Sequence, residues 1–156
     1  MRYLLLILGL LSLQTLSAQL AVMYPGSTAT QLVDKLVGTG VTYSNAVFVG
    51  AGSFNGSTEG NKGIFTGGSG VVGISSGIIF CTGNAMQAIG PNNSPYISGP
   101  TGTPGDATLQ AIAGTTTYDA VGVQFDFVPE SNYIEFKYVF ASEEYNEYVN
   151  DIYNDV

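Results

Sequence analysis

The chain of 156 residues has no histidine, a single cysteine and only four basic residues. Without histidine, Ser-His-Asp and Cys-His nucleophile pairs are excluded, and so is histidine-ligated zinc. One cysteine removes thiolate metal sites and any intramolecular disulfide, so an exported domain of this sequence has to be held by its core. Cys81 follows Ile78, Ile79 and Phe80, and reads as a small buried residue in a strand rather than a reactive thiol. Low-complexity tracts and internal repeats are also missing.

The scarcity of basic charge bears on partners. Arg2 lies in an N-terminal segment with the marks of a secretory signal: apolar residues over Leu4–Leu13 and a small-residue cleavage site at Leu16-Ser17-Ala18. The apolar run is short for a membrane span, which takes about 20 residues. Residues 1–18 are therefore expected to be removed, with no membrane insertion afterwards. Residues 19–156 then form one domain, with three basic and twelve acidic residues. A formal net charge of −9 makes nucleic acid and anionic membrane surfaces poor partners, and cations better ones.

What is plentiful is apolar residues at 45%, with 21 glycines and 10 tyrosines, a composition that fits a turn-rich β protein. Ser27–Gly38 predicts a helix, with Ala29, Leu32, Val33, Leu36 and Val37 on one stripe, a Ser27 or Thr28 cap and Gly38 at a left-handed exit. Val41–Val49 reads as a strand. Gly50–Gly70 reads as surface loop, interrupted only by Ile64 and Phe65. Gly77–Thr82 reads as a buried strand, and Gly83–Gly105 as another turn-rich excursion. Asp106–Gly114 predicts a short helix capped by Asp106, with Leu109 and Ile112 inward.

Two alternating stretches follow. Val121, Val123, Phe125 and Phe127 share one face, as do Ile134, Phe136, Tyr138 and Phe140. The turn Pro129-Glu130-Ser131-Asn132 predicts that 121–128 and 133–140 form a hairpin. A ribbon with one apolar face needs a partner sheet. The fold class expected is therefore mainly β: a β-sandwich of jelly-roll type with one or two short helices and long Gly/Asn/Ser-rich loops.

Gly68-Ser69-Gly70-Val71-Val72-Gly73 fits G-x-G-x-x-G formally, but no helix pattern follows and no acid stands at the ribose-binding offset, so it reads as a glycine-rich loop. Gly60-Asn61-Lys62-Gly63 lacks both the spacing and the hydroxyl of a phosphate loop. Oxygen chemistry remains. Seven of the twelve acids fall within the last 27 residues. Glu143, Glu144, Glu147, Asp151, Asn154 and Asp155 can supply several of the six to eight oxygens that calcium takes. No EF-hand pattern is present. The other reading is an amphipathic turn or helix, with Tyr145, Tyr148, Val149, Ile152 and Tyr153 at helical spacing and the acids facing water.

The stretches TATQLVDKLVGTGVTYSN at 28–45, GIIFCTGNA at 77–85, PGDATLQAIAG at 104–114, TYDAVGVQFDFVP at 117–129 and YVFASEEYNEYVNDIYNDV at 138–156 resemble the choice-of-anchor L domain family. The resemblance implies a β-rich module of secreted and cell-surface bacterial proteins, chiefly of Bacteroidetes. Further domains and varied anchoring tails would follow it, and there are no established catalytic residues to carry over. Cys81 stands where the family has a small hydroxyl residue. The chain stops at Val156, where the family continues into an aromatic strand, so the domain reads as incomplete at its C-terminus.

Two functions follow from these readings. One is a non-catalytic extracellular or cell-surface module for adhesion or for recognition of a surface glycan or protein, stiffened by calcium. The other is a secreted carbohydrate-active hydrolase, since paired carboxylates cleave glycosides without histidine, with Glu143 and either Glu147 or Asp151 as the pair.

Overall fold

The computed structural model describes residues 19–23, 28–49, 60–94, 97, 99–142, 145 and 148. The fold is mainly β, as expected. Among the described residues there are five strands in two antiparallel sheets and two short α-helices, and the sheets do not close into a barrel. In chain order the elements are β1 (Ala21–Met23), α1 (Ala29–Leu36), β2 (Val41–Val49), β3 (Lys62–Thr66), β4 (Ser76–Phe80), α2 (Ala107–Ala113) and β5 (Gly122–Pro129).

Helix α1 starts where a capping box demands it. Thr28 Oγ1 accepts from the Gln31 N–H at 3.2 Å, and Gln31 Oε1 accepts from the Thr28 N–H at 2.8 Å. Its buried residues are Ala29, Leu32 and Val33, the i, i+3, i+4 stripe of an amphipathic helix. The expected left-handed exit at Gly38 does not occur. The helix is closed by Val37 in extended conformation, and the left-handed turn comes at Gly40, with φ +87°. From this position α1 touches β3 and β4 of one sheet and β2 and β5 of the other. Leu32 and Val33 are fully buried there, each worth about 1.5–3 kcal/mol of apolar burial.

The first sheet has the order β1-β3-β4. Its central strand lies in the stretch expected to be loop. Phe65 is buried with Leu20 and Val22, and Val72, Ile74, Ile79 and Ile89 pack around them. Five residues, one of them Gly63, are too few to show alternation, but β4 pairs with the whole of β3 and β1 with Ile64, Phe65 and Thr66. The β3–β4 connection is the glycine-rich loop read from the sequence. Gly68 donates its N–H to Ser75 O, and its own carbonyl accepts from the N–H groups of Val71, Val72 and Gly73. A Cβ at Gly68 would run into Ile74 O.

The second sheet pairs β2 with β5 from Val41 opposite Pro129 to Val49 opposite Gly122. The expected hairpin of 121–128 with 133–140 is therefore not formed. Strand β2 is the partner instead, and Tyr43 meets the Phe125 ring edge-on, centroids 6.1 Å apart at 82°. Beyond Pro129, the Glu130 N–H still donates to Gly40 O at 2.8 Å, which keeps the chain tied to the start of β2 through the turn. The ladder carries a bulge between Ser44 and Val47. There Asn45 adopts φ +54°, and its Nδ2 donates to Asp126 Oδ2 at 2.6 Å.

Helix α2 has the expected Asp106 cap and a left-handed Gly114. Leu109 is half-buried, but Ile112 is exposed rather than inward.

Candidate functional site

The six residues proposed to hold calcium, Glu143, Glu144, Glu147, Asp151, Asn154 and Asp155, lie outside the described residues. In the same segment Tyr145 is exposed and Tyr148 half-buried. Among the described residues no group of three or more acids and cysteines comes together as a metal cluster.

Each of the four described aspartates is committed to a structural hydrogen bond. Asp34 accepts from the Tyr43 hydroxyl, and this bond, with smaller contributions from burial and the nearby charge, raises the Tyr43 pKa. Asp106 Oδ1 accepts from the Thr108 and Leu109 N–H groups at 2.8 and 3.1 Å, the N-cap of α2. Asp126 accepts from Asn45 at the bulge.

Asp119 is the most heavily used. Its Oδ1 accepts from Thr101 Oγ1 at 2.6 Å, the Thr103 N–H at 2.7 Å and Thr103 Oγ1 at 3.2 Å. The Asp119 N–H returns to Thr103 O at 2.9 Å, and Pro104 bridges to Tyr118. Burial pushes the Asp119 carboxyl up, but the hydrogen bonds from Thr101, Thr103 and Gly102 together outweigh it and hold the group below the usual carboxylate range. This knot fixes the 99–106 loop to the strand entering β5. Sequence reading missed it, since the partners stand 16 to 18 residues apart and no short-range motif joins them.

A second cluster sits at the start of β3. Lys62 Nζ lies 4.5 Å from the Phe48 ring centroid, and partial burial lowers its pKa. Asn61 behind it is 1% exposed, and its Nδ2 finds no hydrogen-bond partner among the described residues. Cys81 is half-buried, less enclosed than the sequence suggested. Its N–H donates to Asn61 O at 2.8 Å and its Sγ accepts from the Gly83 N–H at 3.3 Å.

The remaining surface feature is apolar. Every residue from Tyr133 to Phe140 is exposed, and none of them joins a strand. Tyr138 is 84% exposed, Phe140 66%, Phe136 63% and Ile134 43%, so the face expected to enter the core stands in solvent. Phe127 and Val128 at the end of β5 are exposed too. Isolated exposed apolar residues need no explanation, but here they are contiguous along the chain. Glu135 and Lys137 form an exposed ion pair at 3.5 Å along the same run.

The described residues thus form a two-sheet β framework whose aspartates hydrogen-bond within the fold, followed by an exposed aromatic run. Residues 21–156 match the choice-of-anchor L domain, and the chain belongs to that family. Membership places it with domains of secreted or cell-surface proteins, of a non-catalytic type. No helix among the described residues is long and apolar enough to cross a membrane. Comparison with curated proteins and with solved structures gave no match.

Proposed function

We propose that this domain is a non-catalytic contact module that works outside the cell in adhesion or in recognition of surface glycan or protein. The observation that carries this reading is the exposed run Tyr133–Phe140. Aromatic side chains held in solvent supply large contact area at little entropic cost, and tyrosine adds a hydroxyl for polar partners. The aspartates of the framework support the same reading, because each described one is engaged in a hydrogen bond within the fold.

Calcium enters this proposal as a stiffener of the segment that starts at Glu143. The six proposed oxygen ligands in it suit a hard cation, and a weak extracellular site needs only millimolar affinity. Thermal melting in about 5 mM calcium against chelator checks it. A rise of several degrees that Asp151→Asn abolishes is expected, and an unchanged melting temperature removes calcium from the account.

Retention on a panel of immobilised polysaccharides and bacterial surface proteins, with release of reducing ends measured in parallel, tests the contact role. Retention without release is the expected result. Release of reducing ends that Glu143→Gln abolishes would replace contact by hydrolysis.

A further inference from the structure

We propose that the stretch Tyr133–Val139 of the exposed run pairs with the same stretch of a second copy, antiparallel and centred on Phe136. This deepens the contact reading by naming its partner, and it rests on that reading's exposed surface.

Register decides the pairing. Apolar residues occupy the even positions from 134 to 140, and Glu135 and Lys137 stand between them. A strand pair that sets apolar against apolar has to match even positions with even ones, because a slip of one residue turns each side chain to the other face. Among such antiparallel registers, a centre at Phe136 places Ile134 opposite Tyr138 of the partner subunit, and Glu135 opposite Lys137 of the partner subunit. Two-fold symmetry repeats both pairs. Moving the centre to Glu135 or to Lys137 sets a charge against its own copy, and parallel in-register pairing sets both charges against themselves. Like charges directly opposite are destabilising, and unlike charges and aromatic pairs stabilise.

The existing Glu135–Lys137 pair is compatible with this arrangement. In the dimer each charge keeps its neighbour along the strand and gains one across it, so the four charges alternate in sign. The run carries no net charge, no proline and no glycine, so nothing in its sequence blocks it from taking up strand pairing with a partner. A ribbon of this length buries less than a standard interface, which puts the dimer in the weak, concentration-dependent class.

Sedimentation velocity of the purified chain between about 1 and 200 μM is the test, read with charge variants at these exposed positions. A monomer–dimer equilibrium is expected. Lys137→Glu should weaken it about tenfold or more, and the double variant Glu135→Lys, Lys137→Glu should restore it. Unchanged thermal melting of each variant shows that the fold is intact. A monomer throughout the range would overturn self-pairing, and so would a dimer indifferent to Lys137→Glu or one that the double exchange fails to restore. If the monomer is still retained on a polysaccharide or protein surface, self-pairing alone has failed and the contact reading stands.

Discussion

At the scale of single residues, the most informative group is Asp119. Its carboxyl titrates below its ordinary value in the folded chain because hydrogen bonds to its charged form outweigh burial. A depressed folded pKa means that the contribution to stability is fully present above the unfolded pKa. It is lost as the pH falls through the folded value. Asp119→Asn tolerates the positive φ of 52° and removes only the charge, so denaturant titrations across acidic pH should show a shallower acid limb than the wild type. Identical limbs would show that the carboxylate charge does not matter there. Gly68 is a steric counterpart. A methyl at that position meets Ile74 O and the Phe65 ring, so Gly68→Ala should cost about 1–3 kcal/mol in urea unfolding. Neither role was readable in the sequence: the Asp119 knot joins residues distant along the chain, and Gly68 looked like one glycine among many.

The elements divide by whether their signals are local. Helix α1 was legible because Thr28, Gln31 and the Leu32–Val33 stripe lie within one turn or two of each other. Strand β2 was legible because nine residues suffice to show a β-rich run, and the Asp106 cap because it acts two and three residues away. Strand β3 was lost between glycines. The partner of β5 was misread because a four-residue turn suggested a hairpin, whereas the actual partner, β2, lies some 80 residues upstream, a separation no local pattern reports. For the helix, Thr28→Ala should cost about 1 kcal/mol through loss of the cap. Leu32→Ala, fully buried where α1 meets both sheets, should cost about 2–5 kcal/mol. Thermal or urea unfolding checks both. If the two costs were equal, helix formation rather than packing between the sheets would be the main contribution of α1.

At the scale of the molecule, the two-sheet framework is followed by the exposed apolar stretch Tyr133–Phe140, next in sequence to the acidic segment proposed to bind calcium. Family membership explains why such a chain need not contain catalytic residues. The exposed run is the surface on which the proposed contact role rests. Backbone hydrogen exchange of the dilute chain, resolved by residue, measures that openness most directly. Amides of 134–140 should exchange at nearly unprotected rates while those of β3 are strongly protected, and protection over 134–140 should appear on concentration or on binding a retained surface ligand. Protection over 134–140 equal to that of β3 in the dilute monomer would mean that the run is already paired within its own chain, and the contact account would lose its surface.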